Sequence, residues 1–259
     1  MKIIVCVKQV PDTAANMAVD NGVISWGDAP LIINPWDEFA VEAALNISAD
    51  QGGEVIALCL GKEDETEAIK HALAMGANDA VLVSDPALKG ADNVAASKVI
   101  AAAINKIGEA DLVLFGQQSV DTDTGLLPVQ VARLLAWPSL TLVSQFKEVS
   151  PGENKVQVLR SMEEGNQVVE SSLPAVVSVT KDYGEPRYPS FMGIRKASQA
   201  EFPVWDLAEL GIDPPTSSIA WPEISEPSQK DVVTEIIEGE NAEEKAKALV
   251  QKLAAEKVL

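Results

Sequence analysis

Four short runs, residues 3–7, 55–60, 80–83 and 112–115, are apolar at every position and rich in Val, Ile and Leu. A strand with one wet face alternates polar and apolar residues, so uninterrupted runs imply strands covered on both faces, the condition of a parallel sheet. The segments between them carry helix signatures. Asn34 stands as a cap before Pro35 and Asp37, with Ala40, Val41, Ala44, Leu45 and Ser48 on one face. Asp64-Glu65-Thr66-Glu67 has the capping-box pattern ahead of Ala68, Ile69, Ala72 and Leu73, and Gly76 is the stop. A third helix is expected over residues 92–107, ended by Gly108. This alternation predicts right-handed βαβ units in an α/β fold: an open, mostly parallel, doubly wound, Rossmann-like sheet.

Beyond residue 137 the texture changes. Residues 141–149, 155–159, 167–171 and 175–180 read as short strands that extend the sheet with antiparallel neighbours, with turns at Pro151-Gly152 and residues 163–166. From Asp213 the chain turns Pro- and Ser-rich, then ends in a predicted helix over residues 242–257 with Ala246, Leu249, Val250 and Leu253 in a stripe. The division expected is a domain of residues 1–195 and a linker and arm of residues 196–259. Such a helix is either an arm that docks elsewhere or a helix packed on its own domain.

Charge narrows the function. With 20 Lys and Arg against 39 Asp and Glu, the formal net charge is −19. That argues against the basic face a nucleic acid requires and disfavours an anionic membrane surface. No stretch reaches the roughly 20 apolar residues that span a bilayer, and the apolar start is too short for a signal peptide, so a cytoplasmic location is expected. Cys6 and Cys59 have no second Cys or His nearby, which argues against a disulfide framework or a metal cluster.

In an open parallel sheet, ligands bind beyond the carboxyl ends of the strands. The informative segment therefore follows the fourth run: Gly116, Gln117, Gln118, Ser119, Val120, Asp121, Thr122, Asp123, Thr124, Gly125, Leu126 and Leu127, then Pro128. Proline is tolerated in a first helical turn, so the next helix is expected to begin near residues 124–126 and run to about 136. The N–H groups of Gly125, Leu126 and Leu127 then face the strand ends as an anion site. Asp121 and Asp123 cap the turn or bond a sugar or base. An ordinary capped loop is the alternative, since the segment is neither a P-loop nor GxGxxG. Cys6, Leu60 and Asn34-Pro35-Trp36-Asp37 converge on the same edge. Cys6 reads as core, Trp36 as core filler or the cover of a flat ring, and His71 as structural. No catalytic residue, paired carboxylate or metal spacing is visible.

Residues 183–196 form a proline-bounded loop that still carries Tyr188, Phe191, Met192 and Ile194 beside Arg187. Large apolar side chains there suggest an anchor offered to a partner, or a loop folded over its own core.

Taken together, Val7-Lys8-Gln9-Val10-Pro11-Asp12, the Asn34 to Ala44 block, Ala72-Leu73-Ala74-Met75-Gly76-Ala77, the loop of residues 116–123, Leu173-Pro174-Ala175-Val176-Val177 and Glu185-Pro186-Arg187-Tyr188 resemble the small (β) subunit of electron transfer flavoproteins, the ETF β/FixA family. The likeness covers essentially the whole chain. It implies a fold like that of the adenine nucleotide α hydrolases and an electron carrier rather than an enzyme. The partner would be an α subunit that holds most of an FAD, with AMP or a second FAD in the β pocket. The nucleotide pocket carried over comprises Cys6, Asn34, Pro35, Trp36, Asp37, Leu60 and residues 116–127. Residues 183–196 match the recognition loop for flavoprotein dehydrogenases of the acyl-CoA type, with Phe191 at its apolar anchor, and the C-terminal arm would embrace the α subunit. Many relatives have Asn-Gln-Thr-Gly where this chain has Gly125-Leu126-Leu127-Pro128, which leaves the phosphate to backbone amides. An acidic residue of relatives beside Arg160 is Ser161 here. Two further readings are an electron-bifurcating β subunit whose complete FAD is reduced by NADH, and a stand-alone nucleotide-sensing protein.

Overall fold

The computed structural model describes residues 1–219, 223–226, 228 and 234–258. The chain divides into two compact units, Met1–Ile224 and Ser225–Leu259. In the first, the strands are β1 (Lys2–Val7), β2 (Gln9–Pro11), β3 (Ala18–Asp20), β4 (Val23–Ser25), β5 (Leu31–Ile33), β6 (Glu54–Leu60), β7 (Asp79–Val83), β8 (Leu112–Gly116), β9 (Ser139–Ser150), β10 (Lys155–Met162), β11 (Gly165–Ser172), β12 (Ala175–Val179) and β13 (Val204–Trp205). Its helices are α1 (Pro35–Gln51), α2 (Glu67–Met75), α3 (Asn93–Ile107), α4 (Leu127–Leu135), α5 (Phe191–Ala197) and α6 (Leu207–Leu210). The second unit contributes α7 (Ala242–Ala255), capped by Asn241, whose side chain accepts from the Glu244 N–H at 2.9 Å.

Nine strands form one sheet in the order β11-β10-β9-β12-β8-β1-β6-β7-β13. From β9 to β13 every neighbouring pair is parallel; β10 is antiparallel to both β9 and β11. The four apolar runs are β1, β6, β7 and β8, and their side chains sort by parity as a strand requires. Ile3, Val5 and Val7 pack into the cluster under α1 and α2, while Ile4 and Cys6 pack with Val99, Ile100 and Ile104 of α3 and Val131 of α4. Both faces are covered, so the sheet is doubly wound.

One topological expectation is corrected. Residues 141–149 and 175–180 were both expected as antiparallel extensions, but β9 and β12 run parallel to the central strands, with β12 fully buried between β8 and β9. Its apolar run is of the same kind as those of β1 and β8, and α4 supplies the crossover that brings β9 round parallel. Only β10 and β11 are antiparallel additions. The loop expectation for residues 183–196 is corrected as well, because α5 begins at Phe191. Ser190 caps it by accepting from the Gly193 N–H at 3.0 Å, and Gly193 lets the helix press on α2, where a Cβ would lie 2.3 Å from the Ala74 carbonyl oxygen.

Chain order reverses at the centre of the sheet. From β1 the chain builds outward through β6 and β7, then returns to place β8 on the other side of β1. The carboxyl ends of β1 and β8 therefore flank a switch point, the usual ligand crevice of this architecture.

Candidate functional site

The crevice is assembled around Asp37, in the first turn of α1. Its carboxylate accepts from the Lys8 N–H just past β1 at 2.7 Å and from the Gly116 N–H at the end of β8 at 3.2 Å. One buried side chain thus ties the two switch-point strands to the helix that covers them. Burial pushes the Asp37 carboxyl up to about 7, against the opposing pull of the Lys8 N–H, Asn34 and the Gly116 N–H. Gly116 is required by space: a Cβ there would lie 2.4 Å from Asp37 Oδ1 and 2.6 Å from the Trp36 carbonyl carbon.

Asn34 does not cap α1 with its side chain, contrary to the sequence expectation. Its Nδ2 donates to the Gln118 carbonyl at 2.9 Å, and its Oδ1 accepts from the Val120 N–H at 3.2 Å. The amide of Asn matches one acceptor and one donor of the loop at once, which an ionised Asp, with no donor, cannot do. The capping box expected over Asp64-Glu65-Thr66-Glu67 is likewise absent, since α2 begins only at Glu67 and Thr66 makes no side-chain cap; Gln9, reaching from β2, accepts the Ala68 N–H at 3.1 Å instead. Asn34→Ala is expected to lower stability by about 1–3 kcal/mol, because it strands two loop groups in a partly buried place. A denaturant titration of the purified complex measures this, with Asn93→Ala, which removes the exposed 2.8 Å tie to Thr124 Oγ1, as the milder comparison.

The loop is otherwise self-braced. The Asp123 N–H donates to the Ser119 carbonyl at 2.7 Å, Ser119 Oγ and Thr122 Oγ1 lie 2.9 Å apart, and the Gln118 amide bonds Asp123. Asp123 and Gly125 take positive φ, 54° and 60°, and turn the chain into α4. That helix begins at Leu127 with Pro128 in its first turn, so the N–H groups of Gly125, Leu126 and Leu127 precede any helical carbonyl that would accept them. Lys8 Nζ pairs with Asp121 Oδ2 at 2.6 Å, while Asp121 Oδ1 is buried without a hydrogen-bond donor.

These features decide what fits. A buried carboxylate oxygen wanting a donor suits a hydroxyl or amino group of a nucleoside, and unaccepted main-chain N–H groups suit its phosphate. The Lys8–Asp121 pair neutralises one of the two loop carboxylates that would repel an anion. Cys6 offers no chemistry: burial pushes its thiol well up, and it sits in the core as expected. Trp36 is half-buried at the start of α1, and Leu60 is half-buried at the end of β6. His71 Nε2 lies 2.8 Å from Glu38 Oε1, joining α2 to α1.

The second group of expected residues lies apart from this crevice. Arg187 is gripped by Glu42 of α1, and beyond it Tyr188, Phe191, Met192 and Ile194 are exposed. The roles of Lys8, Gln9, Glu42 and Asn46 were not read from the sequence. Only the i, i+4 spacing of Glu42 and Asn46 on one helix face gave a signal for the last two. Two depressions occur elsewhere: one of about 420 Å³ lies among Asn46, Asp50, Gln145, Phe146 and Tyr183, and one of about 200 Å³ beside Phe202.

Residues 22–210 match the model of the electron transfer flavoprotein domain. The chain is 39% identical over 216 residues to the caffeyl-CoA reductase-Etf complex subunit CarD of Acetobacterium woodii, covering 83% of this chain and 81% of that one. It is 37% identical to the protein FixA of Azotobacter vinelandii, covering 82% and 77%. It is 38% identical to the electron transfer flavoprotein subunit beta of Megasphaera elsdenii, covering 82% and 81%.

Proposed function

The chain belongs to the electron transfer flavoprotein domain family, as a small-subunit member of the β/FixA kind, and from that premise we propose that the crevice between β1 and β8 holds an adenine nucleotide. It is an electron-carrier subunit rather than an enzyme with a substrate of its own, it is associated with flavin, and it works with a partner ETF subunit. The residues proposed for the nucleotide are Asn34, Trp36, Asp37, Leu60 and residues 116–127, with Cys6 in the wall behind them. The observation that carries the reading is the braced loop: Asn34 and Asp37 fix it over the switch point, with Asp121 Oδ1 and the amides ahead of α4 still seeking partners.

The FAD, shared with the larger subunit, supplies the redox chemistry when bound. This chain's residues bind and orient. Asp37 and Asn34 set the loop, Lys8 offsets the charge of Asp121, and the Phe191 surface meets the donor, which we assign as a flavoprotein dehydrogenase of the acyl-CoA type. The C-terminal unit with α7 is assigned to hold the partner subunit. Among the described residues no helix is long and apolar enough to cross a membrane.

Two measurements test this. Nucleotides released on denaturing the purified heterodimer should be one flavin and one AMP; two flavins would instead identify the bifurcating arrangement, and the absence of any adenine nucleotide from this subunit would end the crevice assignment. Phe191→Ala should leave flavin bound and slow dehydrogenase-dependent reduction by about tenfold, as loss of an aromatic anchor does. Unchanged reduction would remove α5 from the docking surface.

A further inference from the structure

We propose that Glu42 is a positioning residue for electron-donor docking: by gripping Arg187 it fixes the exposed Tyr188, Phe191 and Met192 in the arrangement that the dehydrogenase meets. The inference rests on the docking assignment made above for the Phe191 surface. Glu42 lies on α1 and is 9% exposed, an unusual place for a lone carboxylate. Most of its hydrogen bonding is directed at one residue, with Asn46 as the further partner. Oε2 accepts from the Arg187 main-chain N–H at 3.0 Å and from Nε at 2.7 Å, and Oε1 accepts from Nη2 at 3.0 Å. Burial pushes the Glu42 carboxyl up, but the bonds from Arg187 outweigh it and hold the group below its ordinary value, so it is ionised at neutral pH.

The grip is doubled one turn along the same helix face. Asn46 Oδ1 accepts from Arg187 Nη2 at 2.7 Å, and Asn46 Nδ2 donates to Tyr183 Oη at 3.3 Å. Residues 183 and 187 are thus both fixed to α1 across Gly184-Glu185-Pro186, a stretch with no regular structure of its own. On the far side, α5 is fixed to α2 by the close approach of Gly193 to Ala74. Between the two anchors, Tyr188 is 94% exposed and Phe191 82%. A segment pinned at both ends with bare apolar side chains between them is ordered before any partner arrives. Such preorganisation lowers the entropy lost on docking. Because main-chain and side-chain donors of Arg187 share one acceptor, Glu42 governs the path of the backbone into Tyr188 as well as a charge pair.

Steady-state reduction of the purified heterodimer by an acyl-CoA dehydrogenase, with its acyl-CoA as reductant, tests the role. Glu42→Gln should raise the KM for the heterodimer three- to tenfold with kcat unchanged. Flavin absorbance and reduction by dithionite should match wild type. In a Phe191→Ala background the same substitution should change KM by less than twofold, because the surface it positions is already lost. Should Glu42→Gln fail to assemble, Arg187→Gln removes the grip from its exposed end and is read in the same cycle. An unchanged KM for Glu42→Gln, or an effect that multiplies fully with that of Phe191→Ala, overturns the positioning role and leaves the docking surface standing. A wild-type heterodimer that the dehydrogenase does not reduce, or a Phe191→Ala variant reduced normally, removes the docking assignment and the role of Glu42 with it.

Discussion

Gly116→Ala should destabilise the purified complex by about 3 kcal/mol or more, the upper range for overpacking a filled site. The added methyl group would stand 2.4 Å from Asp37 Oδ1, 2.6 Å from the Trp36 carbonyl carbon and 2.7 Å from its oxygen. Two of these three are main-chain atoms in the first turn of α1, and the third belongs to a side chain held from both sides. No flexible end can yield, so α1 must retreat from β8, and the bond from the Gly116 N–H to Asp37 goes with it. At roughly 2–4 °C per kcal/mol for a chain of this size, the melting temperature should fall by about 6–12 °C. Gly152→Ala is the control: a Cβ there meets nothing within 4 Å, and the change should stay within about 0.5 kcal/mol. A Gly116→Ala complex as stable as this control would show that α1 and β8 are not in the close contact described.

Asp37→Ala should cost about 2–5 kcal/mol near pH 5, since it strands the Lys8 and Gly116 N–H groups in the protein interior. Its pH dependence carries more information. The folded carboxyl titrates at about 7 against an ordinary value of 3.8 for the unfolded chain, so between those values the folded state holds the extra proton. Stability from this group is therefore present below about pH 4 and declines as pH rises towards 7. The Ala variant has no such proton to lose. The stability gap between wild type and variant should accordingly narrow from pH 5 to pH 8, as read by denaturant unfolding across that range. A gap that is constant with pH would mean that Asp37 is ionised throughout, with the bonds from Lys8 and Gly116 outweighing its burial.

The sequence made the sheet legible because burial on two faces leaves a plain mark: β1, β6, β7 and β8 admit no polar residue in their cores. The same mark was present in β12 and was misread, since the hairpins of β9, β10 and β11 before it suggested a continuing antiparallel meander. Parallel insertion depends on a crossover through α4, a long-range relation that no local pattern records. At the site, the loop after β8 was found by position alone, at the carboxyl end of an apolar run. What was not legible is how it is held. Asn34 and Gln9 look like a cap and a solvated side chain in sequence, yet each bonds a segment far along the chain, 84 residues away for Asn34 and 59 for Gln9. The helix α5 was hidden by Pro189 and Gly193, residues read as turn formers. In the fold Gly193 serves close packing instead.

The placement of β12 bears on how the molecule is made. While the ribosome works through residues 117–179, the outer edge of β8 has no hydrogen-bonding neighbour, because the strand that must lie there, β12, follows only after β9, β10 and β11. At roughly 5–20 residues per second that interval is about 3–13 s. A newly made strand that is apolar on both faces and open along one edge is a template for unwanted pairing, so it is during translation, rather than in the finished protein, that this polypeptide most needs a chaperone.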